Sequence, residues 1–588
     1  MASVRYSPWQ SCFFEMPEHF PVVISRSNKS VRRFSSEKAA GVRAYAPPAA
    51  LSCRILLPMP PSETATTGVA TTFPPDEKPQ NATEVFAVHG ADPEVLAYAM
   101  AKYSRSSLSM KDSLREISSQ RAEQFLNTFY FQYGHRSIAD LAHLAFAIER
   151  LSLLAAIVLV DEQRWDGQER STRYQNFRKS GWYMPDFGSD QASAALFRDS
   201  VESLFAAYHE VAEGVTESLK GSIAKPEEMK QDAYERTLKA RAFDVARYLL
   251  PLATNTSLGQ IVNARTLETQ ISRLLSSPFA EIRQLGEKLR SSASGPAWNV
   301  YEDEFAKLQE EIAAADPALG ERAAVLLNRE VKTAPTLVKY AAPNEYEMTT
   351  RRDLHQAAAE LLKHQAIDAA PLVDLLDADP SLEVELTTTL LYGACHYPYR
   401  QIRRHVAALS ASRQNEIIAL GTRHRGRHDE LLREFSAGQA IRFDILMDIG
   451  GFRDMHRHRR CVQVLQGFTA EHGFDIPEGL KEAGLTTKYE RAMKAAHAAY
   501  ARLAAGSSAE AAESAQYLLP LGTRKRALFK MDFAEALYIS ELRSAPQGHF
   551  SYRRVAWEMY RTIQERHPAL AQYFRVTDVN EPVDLLKR

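Results

Sequence analysis

Tyr248-Leu249-Leu250-Pro251-Leu252 returns as Tyr517-Leu518-Leu519-Pro520-Leu521, 269 positions later, and in each copy a polar residue follows the proline at position twelve, Asn263 or Asp532. Repetition over this distance confines the chain to two tandem copies of one fold, because a shared pattern of apolar and polar positions must be buried in the same way twice. The polar equipment, however, is divided. Arg247, Asn263 and Arg265 of the first copy become Gln516, Asp532 and Ala534 in the second, whereas Arg457-His458-Arg459 of the second copy stands where the first has Asp161-Glu162-Gln163. Two copies that each lack what the other keeps imply one composite site.

The 588 residues allow two to four domains. Lys and Arg number 72 against 73 Asp and Glu, so no overall field recruits nucleic acid or an anionic membrane, and any anion site must be local. Cys12, Cys53, Cys395 and Cys461 are too few and too scattered for a disulfide scaffold or a Cys-rich zinc module. This points to a reducing, cytoplasmic location. No apolar run approaches the length of a membrane span; Leu151 to Val160 reads as a buried helix.

Residues 1–83, rich in Pro, Ser, Thr and Ala, read as a disordered leader; Glu15, Glu18 and Glu37 argue against an organellar presequence. Helical spacing predicts helices over Glu94 to Tyr103, Lys111 to Tyr133, Ile138 to Val160 and Ala192 to Ser218 in a first domain, 84–316. A Pro-containing linker follows over 317–348. A second domain, 349–588, repeats the pattern with Leu354 to His364, Tyr489 to Ala505 and Ala527 to Ser544. Ala145 to Leu153 and Ile441 to Ile449 also suit strands, and their spacing does not decide between strand and helix.

Three groups carry candidate chemistry. Glu169-Arg170-Ser171-Thr172-Arg173-Tyr174 sets a hydroxyl two residues before a guanidinium fork, which suits phosphate; a polar loop with surface salt bridges is the plainer alternative. Arg453 to Arg460 concentrates arginines and histidines able to hold anions or move a proton, against a solvated basic face or a structural His–carboxylate network. Arg247, Asn263, Arg265 and Arg273 form the third group, with ordinary pairing to Glu268 or Glu281 as the alternative. His424 and His428 stand at i, i+4 without the Glu of a zinc helix motif, so no metal is expected. Cys395 reads as a small core residue rather than a nucleophile based on His396. Walker A, Rossmann and nucleophile-elbow motifs are absent.

In chain order these pieces resemble the flavin-dependent thymidylate synthase family, whose signature is Arg-His-Arg followed by Ser-x-Arg-Tyr. The first half matches at His135-Arg136-Ser137, Phe146 to Ile148, Ser171-Thr172-Arg173-Tyr174, Arg247 with Pro251, and Asn263-Ala264-Arg265. The second matches at Phe443 to Ile445, Arg457-His458-Arg459, Pro520, Arg543 and Tyr552-Arg553. The resemblance implies an α+β, predominantly helical fold, two tandem copies forming a pseudo-dimer, and self-association. It also implies a composite site that methylates dUMP with methylenetetrahydrofolate, FAD and NADPH. Glu169, Ser171, Arg173 and Arg247 would then hold dUMP. Ser137, Asn263, Arg265, Arg457, His458 and Arg459 would hold FAD, and Arg543 and Arg273 would stand at the catalytic arginine's place. The pattern is incomplete: Asp161-Glu162-Gln163 replaces Arg-His-Arg, and Val462 to Phe468 lacks Ser-x-Arg-Tyr. The competing expectations are a degenerate relative that binds nucleotide, flavin or a partner without turnover, and nucleic-acid binding through residues 423–460, which the neutral net charge disfavours.

Overall fold

Asn263 and Asp532 turn out to be the same kind of residue in the same place. Each side-chain oxygen accepts the backbone N–H three residues on, Thr266 at 2.8 Å and Glu535 at 2.8 Å, ending a strand and starting a helix. The computed structural model describes residues 88, 90–102, 110–116, 124, 126–127, 136–177, 180–376, 381–426, 429, 431–506 and 509–586. The expected leader, His135, His428 and most of Lys111 to Tyr133 lie outside them.

In the first copy, β1 (His143–Ser152) runs into α1 (Leu153–Leu159) and β2 (Asp166–Glu169). Then follow the antiparallel helices α2 (Gln191–Ser222) and α3 (Gln231–Ala246), β3 (Asn255–Asn263), α4 (Ala264–Leu275) and α5 (Ala280–Ser294). A hairpin of α6 (Glu302–Ala315) and α7 (Pro317–Leu327) comes next, so helix occupies the start of the stretch expected to link the copies. The second copy adds a short strand, β4 (Val373–Leu375), and then repeats the order. Its elements are β5 (Ile441–Asp448), α8 (Ile449–Met455), β6 (Val462–Leu465), α9 (Thr486–Ala504), α10 (Ala509–Gln516), β7 (Arg524–Met531), α11 (Phe533–Ser544) and α12 (Phe550–Arg566).

Both sheets are antiparallel, ordered β1-β3-β2 and β4-β5-β7-β6. Their registers agree residue by residue: Ser152 faces Asn255 as Asp448 faces Arg524, and Asp166 faces Ile261 as Val462 faces Lys530. This sets Asp161, Glu162 and Gln163 opposite Arg457, His458 and Arg459 in the comparison. A bulge at Arg150, with φ 60°, is peculiar to β1 and accounts for a one-residue offset upstream of it.

Two expected helices are in fact strand followed by helix. Ile138 to Val160 divides into a 3-10 turn, β1 and α1, and Ala527 to Ser544 divides into β7 and α11. The strands and helices abut with only a capping residue between them, so apolar positions of both kinds run together. Ser152 caps α1, accepting from Ala155 N at 2.9 Å, and Asp448 caps α8, accepting from Gly451 N at 2.6 Å.

The copies meet about a local twofold through the repeated prolines. Pro251 and Pro520 face each other in an antiparallel bridge, and neither can donate. Around them the hydrogen bonds are reciprocal: Leu252 N to Leu519 O and Leu521 N to Leu250 O, both 2.9 Å, then Ala253 N to Tyr517 O at 2.7 Å and Gly522 N to Tyr248 O at 2.9 Å. At Gly522 a Cβ would stand 2.8 Å from the Tyr248 ring, so this close approach excludes a side chain. Leu250, Leu252, Leu519 and Leu521 are fully buried, each contributing about 2 kcal/mol, and one apolar core runs through both copies. The joint is core, which fixes the loops on either side of it relative to one another. A second core, including Leu354, Tyr392, Ile402 and Ile417, lies under the helices that precede β5.

Candidate functional site

The triplet 457–459 occupies the turn between α8 and β6, and Asp161 to Gln163 occupy the matching turn between α1 and β2. Because the twofold brings these turns together, a cleft forms between them. One small cavity is lined by Ile157, Val160, Trp165, Glu169, Arg453, His456 and Arg457. A neighbouring one is lined by residues of both turns, among them Asp161, Glu162, His458 and Arg459, with Arg433 and Gln463.

The loop after β2 crosses to the second copy here. Glu169 pairs with Arg453, both largely buried, and Asp166 pairs with Arg459 at 2.8 Å. Ser171 Oγ accepts from Arg173 N at 3.2 Å, turning the loop inward. Arg173 Nε donates to Asp244 Oδ1 at 2.8 Å, and Arg173 Nη1 donates to Tyr552 Oη of the second copy at 2.9 Å. Burial opposes the Arg173 charge, but Asp244 more than offsets that and raises its pKa. Arg173 is therefore a clamp between the copies, its fork already taken by a carboxylate.

Arg247 is different. It is 1% exposed and follows α3, with Nη1 3.4 Å from Thr172 Oγ1 and 3.6 Å from Asp454 Oδ2, while Nε and Nη2 carry no hydrogen bond. Two buried guanidinium donors without acceptors are costly, about 1–3 kcal/mol each, and mark a place built to receive oxygen atoms. Asp454 balances the surroundings. Burial alone would raise its pKa, but Arg247, Arg457, Arg543 and Arg173 together bring it below the usual carboxylate value. Four guanidiniums stand against Asp244, Asp454 and Asp448, which also acts on Arg247, and leave one positive charge over, which complements an anion.

Arg543, in the last turn of α11, donates from Nε to His458 Nε2 at 2.8 Å and lies over the Tyr552 ring. Burial pushes the His458 pKa down, so the ring is neutral, and Glu535 Oε1 at 3.6 Å from Nδ1 favours the tautomer with its proton there. The first copy keeps this contact with opposite chemistry: Arg273, from the last turn of α4, donates to Glu162 Oε1 at 2.9 Å. Arg273 thus stands apart from Arg543, neutralised by a first-copy carboxylate. Beside it Asp161 is held by Arg433 and lies near His456; burial raises its pKa, and Arg433, His456 and Arg273 outweigh that. Where the second copy presents guanidiniums, the first presents carboxylates already paired.

Ser137 is exposed on the 3-10 turn Arg136–Leu141, and Arg265 lies 3.4 Å from Asp140 of the same turn. Asn263 is a helix cap beside them. Because Asp166 faces Ile261 in the sheet, Arg459 reaches this end of β3, two residues from Asn263. Arg273 pairs with Glu162 rather than Glu281, and Glu281 accepts from Ser152 N and Oγ. Asp244 and Arg433 carry no signal of their own in the sequence, since only the fold brings them to Arg173 and Asp161.

Cys395 and Cys461 are buried and their thiols are pushed up to about 12, so neither is a thiolate at neutral pH. Among the described residues, no group of three or more His, Cys, Asp or Glu could hold a metal, and no helix is long and apolar enough to cross a membrane. His424 pairs with Asp353 at 2.9 Å.

The family model described as thymidylate synthase complementing protein matches residues 87–294 and 392–569, one segment in each copy. A UPF0159 protein of Chlamydia muridarum is 28% identical over 83% of this chain and 91% of its own length. A flavin-dependent thymidylate synthase of Clostridium tetani is 25% identical over 36% of this chain and 81% of its own. A solved structure of the flavin dependent thymidylate synthase ThyX from Helicobacter pylori, complexed with FAD and dUMP, covers 34% of this chain and 89% of its own at 16% identity and a TM-score of 0.24, too weak a likeness to carry an argument.

Proposed function

The chain belongs to the thymidylate synthase complementing protein family, and from that premise we propose that it methylates dUMP to dTMP at one composite cleft, using FAD, NADPH and methylenetetrahydrofolate. The observation that carries this reading is Arg247, buried at the joint of the two copies with Nε and Nη2 free to donate.

Arg247 binds the dUMP phosphate. Arg173, fixed by Asp244 and Tyr552, positions the loop containing Ser171 and Glu169 beside it. Arg543 donates to the neutral His458 rather than to a carboxylate, and so can stabilise negative charge developing on the uracil. Arg457 and Arg459, exposed at the cleft, suit the phosphates of FAD, with Ser137, Asn263 and Arg265 near the same end of β3. Asn263 Oδ1 is committed to its helix, which leaves its amide N–H groups for a ligand. Bound flavin would supply the redox chemistry of one-carbon transfer. The protein contributes position and charge, consistent with two thiols that are both protonated.

Only one such cleft per chain is equipped. Asp161 and Glu162 are opposed by Arg433 and Arg273, and the second copy offers Val462 to Phe468 in place of Ser-x-Arg-Tyr. A relative that binds nucleotide or flavin without turnover is the alternative, favoured by the Arg173–Asp244 pair, which a substrate phosphate would have to displace. Tritium release from 5-labelled dUMP, with FAD, NADPH and methylenetetrahydrofolate supplied, separates the two: release supports the synthase, and bound flavin without release supports the alternative.

A further inference from the structure

His456 belongs to neither the Arg-His-Arg triplet nor the arginine cluster, yet its ring lines both cavities of the cleft. The matching residue in the first copy is Val160, which lines both as well. The His456 ring is 5% exposed and stacks on Phe452 at 5.0 Å. Gln463 fixes its tautomer. The amide nitrogen of Gln463 donates to the carbonyls of His456 at 3.3 Å and His458 at 2.7 Å, which turns Oε1 toward the imidazole. His456 Nδ1 lies 2.8 Å from that oxygen and therefore carries the proton. Burial, with Arg433 and Lys525 nearby, pushes the imidazole toward neutrality against the pull of Asp161. Nε2 is then a lone-pair acceptor, buried and without a hydrogen bond. Asp161 Oδ1 stands 3.7 Å from it, outside hydrogen-bond reach, and is held by Arg433.

We propose that His456 is a specificity-determining residue, whose Nε2 accepts a hydrogen bond from the ring imide N–H of the ligand held in the cleft. Ile157, Val160 and Trp165 line the cleft beside His456 as an apolar wall, while the arginines take phosphate. A phosphate-bearing heterocycle with an imide N–H describes both a uracil nucleotide and the isoalloxazine of a flavin nucleotide. This inference rests on the proposed function, since that reading supplies the two ligands.

The test compares affinities of the full chain for dUMP against 3-methyl-dUMP, and for FAD against 3-methyl-FAD, by calorimetry and flavin fluorescence. The wild-type protein should prefer one unmethylated ligand by about ten-fold or more, because a buried acceptor left unpaired is penalised. Preference within the dUMP pair assigns the contact to uracil, and preference within the FAD pair assigns it to flavin. H456A and H456F should bind the unmethylated ligand about as weakly as wild type binds its methylated form. Equal wild-type affinities in both pairs overturn the assignment without recourse to a variant, as does full discrimination surviving in H456A. Binding of neither dUMP nor FAD would sink the proposed function along with it, whereas binding without discrimination sinks only the role of His456.

Discussion

The two turns that follow α1 and α8 have the same backbone setting and opposite charge. At 161–163 the first copy carries carboxylates already paired to Arg433 and Arg273; at 457–459 the second carries Arg457, exposed at the cleft, and Arg459, paired with Asp166 of the first copy, with a neutral histidine between them. The difference teaches that one fold can carry opposite charge on the same turn without losing its geometry. In each copy an arginine in the last turn of the following helix still reaches the second residue of the turn, Glu162 or His458. Buried charges must be compensated wherever they are kept. Compensation by a fixed side chain closes a site, and incomplete compensation leaves it ready for a ligand.

The sharpest way to break the comparison is at Asp454. D454N removes the carboxylate among Arg173, Arg247, Arg457 and Arg543 and should cost about 3 kcal/mol of stability in urea denaturation, since it leaves buried charge uncompensated. An unchanged midpoint would mean that the cluster is already solvated. Next, R247M should weaken dUMP binding by about 2–3 kcal/mol in calorimetry while FAD remains bound, whereas Q516M at the matching position should leave both unchanged. R173A should weaken dUMP binding by about 1–3 kcal/mol and also destabilise the chain, because its partners span the copies.

Lys525 offers a pH test. It is buried where the first copy has Thr256, and burial lowers its pKa from 10.5 to about 7. The folded state therefore binds fewer protons than the unfolded state between those values, so this residue makes stability rise with pH across that window. K525M should abolish that rise when wild type and variant are unfolded at pH 7 and at pH 9. The smallest effect belongs to the helix caps. N263A should cost about 1 kcal/mol of stability, while N263D, which copies Asp532, should be nearly neutral.

The duplication was legible because prolines and caps are local signals whose positions survive drift. The strand at Ala145 to Leu153 was half legible. Its apolar residues continue into α1 across the single capping residue Ser152, and a 3.6-residue period can be read through both. The basic triplet, Ser171, Arg173 and Arg247 stand out by residue type, and the fold sets Arg457, Arg173 and Arg247 around Asp454. Asp244 and Arg433 do not stand out. Asp244 reaches Arg173 from 71 positions away, and Arg433 reaches Asp161 from 272 away, distances over which no sequence pattern predicts pairing.

The claim that each chain holds a single site, made jointly by its two copies, is tested most directly by titrating purified protein with FAD and dUMP and counting each at saturation. One flavin and one nucleotide per chain are predicted, with both lost together in R457A/R247M. Two of each per chain, or saturable flavin binding that survives in that double variant, would contradict it.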